Sequence, residues 1–207
     1  NLVTIIYRIV GEGTKFMADI KKGSEIDIMG PLGRGYDVLS LKKGQTALLV
    51  GGGIGVPPLY ELAKQFNQRG IKTIAILGFN TKDEVFYEEE FKKFGETYVS
   101  TVDGSVGTKG FVTDVIKKLQ AENNLVFDKY YSCGPVPMLK ALISTVGEDG
   151  YVSLENRMAC GIGACYACVC KKKKKDKDII AYDEKKVEYT RVCYDGPVYL
   201  ASDVEIE

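Results

Sequence analysis

The 207-residue chain contains no histidine, and that absence removes several chemistries at once. A Rieske centre, a Ser-His-Asp triad and a histidine-ligated zinc all need an imidazole. An excess of charge is lacking too. The 28 Lys and Arg equal the 28 Asp and Glu, so the balance gives no reason to expect a nucleic acid or an anionic membrane surface as partner. No run of about 18 apolar residues occurs, so no stretch predicts a bilayer-spanning helix, and no signal-peptide pattern is visible. Six cysteines could form disulfides, but the composition is not that of a small secreted scaffold, and a reducing cytoplasm suits them better. Whatever chemistry occurs is expected to be carried by cofactors.

What the chain does have is a dense group of thiols. Residues 160–168 read Cys-Gly-Ile-Gly-Ala-Cys-Tyr-Ala-Cys. The spacing of Cys160, Cys165 and Cys168 is C-x4-C-x2-C, with Cys193 as a distant fourth, and this is the ligand spacing of a plant-type [2Fe–2S] cluster. A loop around such a core must turn sharply and aim N–H groups at sulfur. Gly161 and Gly163 permit that turn, and Ala164 and Ala167 leave room for the inorganic core. The competing reading is a four-cysteine zinc site, but zinc sites usually pair ligands as C-x2-C twice, and only Cys165 and Cys168 fit. Cys170 falls outside the spacing and reads as a spectator. The basic run Lys171–Lys175, followed by Asp176, Lys177 and Asp178, reads as a solvated loop.

Upstream, residues 1–40 look like the end of an antiparallel β-domain. Asn1 opens directly into the β-rich run Leu2-Val3-Thr4-Ile5-Ile6-Tyr7, as though a segment before it were missing. Short extended or mixed pieces follow at Met17–Ile20 and Glu25–Met29, then a loop at Gly30-Pro31-Leu32-Gly33-Arg34-Gly35. From Gln45 the pattern changes to strand and helix in alternation. Strands are predicted over 46–50, 73–79, 97–102, 129–133 and 151–154, with helices from Leu59 to near Gly70 and over 84–94, 111–120 and 135–146. That alternation predicts a parallel, doubly wound sheet.

Two turns of this sheet carry possible chemistry. Gly51-Gly52-Gly53-Ile54-Gly55 joins the first apolar strand to a helix that opens with Pro57 and Pro58. Such a loop lets N–H groups and a helix dipole meet a pyrophosphate, although it is not the G-x-G-x-x-G fingerprint and any tight β-α turn can use glycines. Ser132-Cys133-Gly134-Pro135 closes another strand at its carboxyl end, where open α/β sheets bind ligands. It would admit a flat ring, or it is a plain turn with a buried cysteine.

The glycine loop and the Cys-Gly-Pro turn, after a β-domain, resemble the ferredoxin reductase superfamily. Met158 to Cys168 with Val192-Cys193-Tyr194-Asp195-Gly196-Pro197-Val198-Tyr199, together with Ile28 to Gly33 and Gly51 to Glu61, narrows the resemblance to electron-transfer subunits of NAD-linked dihydroorotate dehydrogenases, over essentially the whole chain. The resemblance implies an α/β protein in three parts: the remnant of an FAD-binding antiparallel β-barrel (1–42, with its upstream part absent), a doubly wound, parallel-sheet NAD-binding domain (43–155) and a small C-terminal [2Fe–2S] domain (156–207). It implies an FMN-containing dihydroorotate dehydrogenase catalytic subunit as partner in a hetero-oligomer, with electrons passing from FMN to the cluster, to FAD and as hydride to NAD. By the same likeness Ile6, Tyr7, Arg8, Gly13 and Thr14 contact the flavin. Gly51, Gly52, Gly53, Gly55, Cys133, Gly134 and Pro135 contact the dinucleotide, and Cys160, Cys165, Cys168 and Cys193 hold the cluster. The upstream flavin motif of that family, Arg-Pro-hydrophobic-Ser, is absent.

Further expectations follow. The stretch Gly78-Phe79-Asn80-Thr81-Lys82-Asp83-Glu84 offers one lysine against two acids, so NAD is expected over NADP. With no residue placed as a base on carbon, the chain alone is not expected to oxidise dihydroorotate. Met158, Ile162 and Tyr166 are candidates for the contact with the partner. The alternatives are an electron-transfer subunit of a hydrogenase or of a ferredoxin–pyridine nucleotide complex and, in another class, a non-redox zinc module on a nucleotide-binding scaffold.

Overall fold

The structure is a computed structural model and describes residues 3–173 and 188–206. Its centre is a sheet built from β1 (Thr46–Gly52), β2 (Lys72–Phe79), β3 (Gly95–Thr101), β4 (Thr108–Lys109), β5 (Lys129–Cys133), β6 (Gly150–Ser153) and β9 (Val198–Leu200). The order is β4-β3-β2-β1-β5-β6-β9. The first six strands are parallel, and β9 pairs antiparallel with β6. The chain winds outward from β1 to β4, then returns to lay β5 on the other side of β1. Strand order therefore reverses between β1 and β5, and it is there that open α/β sheets leave a crevice beyond their carboxyl ends.

The two faces follow from the period-2 alternation of the strands. Ala47, Leu49, Ala75, Leu77 and Tyr131 point to one face and pack against Val56, Leu59, Leu62, Ala63 and Phe66 of α2 (Val56–Gln68) and Phe91 of α3 (Glu88–Lys92). Leu48, Val50, Ile74, Ile76, Tyr130 and Val152 point to the other and pack against Val112, Val115, Ile116 and Leu119 of α4 (Val112–Ala121) and Leu139 and Leu142 of α5 (Val136–Val146). Both faces are covered by helices, which is why the strands read as continuous apolar runs. The doubly wound expectation holds.

One helix differs from its sequence reading. The helix expected over 84–94 is only Glu88–Lys92, preceded by a 3-10 turn at Lys82–Glu84. Tyr87 sits at φ 67° and breaks the helical path. The reason is aromatic packing: Tyr87 stacks 4.8 Å from Tyr60, and Phe86 lies 5.4 Å from Phe79 and 5.5 Å from Tyr87. Burial of three rings outweighs the few tenths of a kcal/mol per residue that helix propensity supplies.

Ahead of the sheet, residues 3–40 hold one short helix, α1 (Glu12–Ala18), and no strand ladder among the described residues. Met17, expected in an extended or mixed piece, lies within α1. Ile5, Ile9, Val10, Ile26, Ile28 and Met29 remain exposed, as strand-type residues do when no neighbour offers a hydrogen-bonding edge. From Gly33 onward the segment is tied down. Arg34 N donates to Gly196 O and Arg34 O accepts from Val198 N, while the Tyr36 hydroxyl donates to Ser132 O at 2.8 Å. Gly33 has φ +66°, and a Cβ there would lie 2.2 Å from Gly196 O, so only glycine allows this crossing.

After β6 the chain forms the 160–168 loop and an antiparallel pair, β7 (Val169–Lys171) with β8 (Tyr189–Arg191), before β9 joins the main sheet. Cys168, Val192, Cys193, Ala201 and Val204 share a core with the sheet and α5. Among the described residues no helix is long and apolar enough to cross a membrane.

Candidate metal centre and nucleotide cleft

A cleft of about 900 Å³ opens at the carboxyl edge of the sheet, at the reversal between β1 and β5. Gly52, Gly53 and Gly55 of the glycine loop, Cys133-Gly134-Pro135, and Ile6, Tyr7 and Arg8 all line it. Gly51 lies just below, paired with Cys133 across the β1–β5 ladder. Three stretches far apart in sequence thus share one wall. Gly13 and Thr14 do not line the cleft. They form the first turn of α1, where Thr14 Oγ1 accepts from Val10 N at 2.9 Å and Gly11 N at 3.1 Å.

The two turns touch at Gly55. A Cβ there would sit 2.1 Å from Cys133 O and 2.4 Å from Cys133 C. The N-terminus of α2 is therefore seated directly against the Cys-Gly-Pro turn; Pro57 and Pro58 there carry no N–H, and Val56 N donates to Gly53 O. Gly53 has φ +52° with nothing within 4 Å of its missing side chain: this glycine is needed for its conformation, not for space. Burial pushes the Cys133 thiol up from its ordinary range, so it stays a neutral wall of the cleft.

Glu84, already read as one of the acids bearing on nucleotide choice, lines this cleft, but sequence reasoning missed three other groups: Glu155 is a second carboxylate in its wall, Phe111 is an exposed ring at the start of α4, and Ser100 lies at the end of β3. Asn80 donates to Glu84 from its side chain at 2.8 Å, and Arg8 comes within 3.8 Å of the same carboxylate. The Ser100 hydroxyl is fully buried and has no hydrogen-bond partner among the described residues. A signal existed for Glu84, two residues beyond the lone lysine of its loop. None existed for Ser100, whose environment depends on strand order.

The thiols lie on the far side of β6. Cys160 Sγ accepts from Cys165 N at 3.4 Å, and Cys168 Sγ accepts from Cys193 N at 3.4 Å. Backbone N–H groups of Cys165, Ile162 and Ala164, with the Cys165 side chain, pull the Cys160 thiol down to about 6. The Cys193 thiol is pushed up, first by its hydrogen bond with the Cys168 thiol, then by burial, with the charges of Cys168 and Cys160 adding; the Gly163 N–H points at it and opposes the rise. Cys160 and Cys168 are thus both within electrostatic reach of Cys193, and the loop aims N–H groups at the Cys160 sulfur. Among the described residues no three His, Cys, Asp or Glu groups gather as a single metal ion would require. The thiols stand instead as two pairs, 160 with 165 and 168 with 193. That donor set fits a two-iron core better than one tetrahedral zinc.

Cys170 lies on β7 opposite Thr190 and packs against the sheet's core. Nor is the basic run simply a solvated loop. Lys171 is in β7, Lys172 approaches Glu188 at 3.6 Å, and Lys173 pairs with Glu148 at 2.7 Å. Lys174 and Lys175 fall outside the described residues.

The loop is held by a residue that the spacing rule does not reveal. Arg191 Nη1 donates to Gly163 O at 3.0 Å, and its Nε and Nη2 reach the two Asp195 oxygens at 3.0 and 3.3 Å. Its guanidinium lies 5.3 Å from the Tyr166 ring and 4.7 Å from the Tyr194 ring. The available signal was the Arg and Asp placed two residues on either side of Cys193. Around the loop Met158, Ile162, Tyr166 and Tyr194 are half or more exposed, and Leu32 approaches Gly161.

Comparison with known proteins follows this geometry. Residues 155–205 match the model described as the iron-sulfur cluster binding domain of dihydroorotate dehydrogenase B, and residues 49–143 match the oxidoreductase NAD-binding domain. The chain is 87% identical to the electron transfer subunit of dihydroorotate dehydrogenase B (NAD(+)) of Fusobacterium nucleatum subsp. nucleatum, over 100% of this chain and 76% of that one. It is 56% identical to the subunit of the same description from Lysinibacillus sphaericus, over 96% of this chain and 73% of that one. Among solved structures, an NADH-dependent reduced ferredoxin-NADP oxidoreductase superposes with a TM-score of 0.78 at 30% identity, over 97% of this chain and 67% of that one.

Proposed function

The chain belongs to the family of dihydroorotate dehydrogenase B electron transfer subunits, and from that premise we propose how its own residues carry out the transfer. It is the electron-transfer subunit of an NAD-linked oxidoreductase in pyrimidine biosynthesis, and its partner is the FMN-containing dihydroorotate dehydrogenase catalytic subunit. When bound, the [2Fe–2S] cluster carries single electrons, FAD exchanges single electrons for pairs, and NAD takes the pair as hydride.

Cys160, Cys165, Cys168 and Cys193 would hold the two irons of the cluster. What supports this is the meeting of Cys168 with Cys193, 25 residues on, beside the Cys160–Cys165 pair. Gly51, Gly52, Gly53 and Gly55, with the α2 N-terminus behind them, receive the dinucleotide's pyrophosphate, while Cys133, Gly134 and Pro135 give a flat wall for the nicotinamide. Ile6, Tyr7 and Arg8 face the same cleft and contact the flavin. Gly13 and Thr14 shape the turn that follows them. We divide the chain as 1–42, 43–155 and 156–207 for flavin, dinucleotide and cluster. We place it in the cytoplasm, where a reducing medium keeps cluster thiols available.

Oxidation of dihydroorotate needs a base on carbon as well as a flavin. No histidine exists, and the cleft offers carboxylates and a neutral thiol aligned for a dinucleotide. That step belongs to the partner, which docks over the exposed Met158, Ile162 and Tyr166. The test is orotate formation with an artificial acceptor and with NAD, using the purified chain with and without the FMN subunit. NAD-linked turnover only on mixing is expected; turnover by the isolated chain would overturn the relay.

A further inference from the structure

The Arg191 side chain is more elaborately held than a loop strap requires. It is about one-quarter exposed, it grips one carbonyl and one carboxylate, and two aromatic rings flank it. Its carbonyl partner is Gly163, inside the loop that runs from Cys160 to Cys165. The guanidinium therefore bonds directly to the backbone of the loop that carries two of the predicted ligands. Gly163 has φ +81°, and a Cβ there would lie 2.8 Å from Tyr194 Cβ, so the arrangement leaves no space for another side chain. The backbone of Arg191 is fixed as well: its N–H donates to Asp195 Oδ2 at 3.0 Å and its carbonyl accepts from the Tyr199 hydroxyl at 3.1 Å.

We propose that the Arg191–Asp195 ion pair, clasped between Tyr166 and Tyr194, sets the reduction potential of the four-cysteine centre. Arg191 and Asp195 are positioning residues and are not ligands. The proposal rests on the cluster reading above. Reduction of a thiolate-bound centre held there would add one negative charge to it. A guanidinium bonded to the ligand loop at Gly163 O would favour the extra charge; the carboxylate would oppose it. The pair thus gives two adjustments of opposite sign acting on one metal centre, and hydrogen bonds to its ligand sulfurs and nearby charge are known levers on such potentials. The Tyr166 and Tyr194 rings, 5.3 and 4.7 Å from the guanidinium, help to hold it in place.

The experiment is a redox titration of the cluster, followed by its paramagnetic resonance signal, in the assembled complex for Arg191→Met, Asp195→Asn, the double variant and Arg191→Lys. Iron content and the visible spectrum of the unaltered complex test the cluster reading independently. Arg191→Met should lower the reduction equilibrium constant about tenfold, which is about 59 mV for a one-electron couple, and Asp195→Asn should raise it. The double variant should return toward the unaltered value, and Arg191→Lys should restore most of the single loss. If Arg191→Met fails to hold iron, Asp195→Asn and Arg191→Lys carry the test. A clasp that only held the loop would move both single variants in the same direction, or leave the potential of iron-loaded variants unchanged, and either result would overturn the proposal.

Discussion

Gly55 is where the dinucleotide cleft is most sensitive to one methyl group. Its backbone is unstrained, at φ −78°, so alanine there meets no conformational penalty. The obstacle is space: the added Cβ would sit 2.1 Å from Cys133 O, 2.4 Å from Cys133 C and 2.8 Å from Gly134 N. All three are backbone atoms, so no side chain can swing aside. Relief to ordinary van der Waals separation, about 3.4 Å or more, requires α2 and the Cys-Gly-Pro turn to part by more than 1 Å. Overpacking of this kind costs about 1–3 kcal/mol or more, which for a chain of this size is a Tm drop of roughly 2–12 °C. Parting the two turns also separates the glycine loop from the Cys-Gly-Pro turn proposed as the nicotinamide wall, and a displacement of about 1 Å can cost on the order of 100-fold in turnover. Gly53→Ala is the control, because there φ is +52° and space is free. It should cost about 1–2 kcal/mol through left-handed strain, and Gly53→Asn, which tolerates that region, should recover most of it. Thermal melts of the chain and NADH titrations of the reconstituted complex read all three. Gly55→Ala with unaltered Tm and NADH affinity, or Gly53→Asn no better than Gly53→Ala, would refute the argument.

Other outcomes follow from the same geometry. Cys193→Ser should lose iron and Cys170→Ser should keep it, by iron analysis of the purified variants; the reverse pattern would put the fourth ligand on β7. Catalytic efficiency with NADH should exceed that with NADPH by at least about tenfold, since the Arg8 guanidinium that a 2′-phosphate would need in the cleft already lies within 3.8 Å of the Glu84 carboxylate; equal efficiencies would contradict this. Ser100→Ala should leave Tm unchanged or raised, because the buried hydroxyl it removes has no partner among the described residues and an unsatisfied polar group costs about 1–3 kcal/mol. A fall in Tm would mean that the hydroxyl is bonded after all.

The parts of this protein legible in its sequence are those decided over short stretches of chain. Cys160, Cys165 and Cys168 lie within one loop, which glycines at positive φ at 161 and 163 let turn sharply. Apolar runs such as 46–50 and 73–79 are buried on both faces by helices, and that pattern belongs to the strand itself. What only the tertiary structure decided depends on which segments become neighbours. The helix expected over 84–94 gave way to ring packing against Tyr60 and Phe79, which no local propensity contains. Placing β5 beside β1 brought Gly55 against Cys133, and residues 78 positions apart thereby shape one cleft. The closure of the 193 segment onto the loop paired Cys168 with Cys193 and put Arg191 between two tyrosines. Local spacing acts through covalent geometry, so it can be read residue by residue. Contacts such as Arg191 to Gly163 form only after a long loop has closed, and their partners are chosen by the order of the whole sheet and not by the sequence beside them.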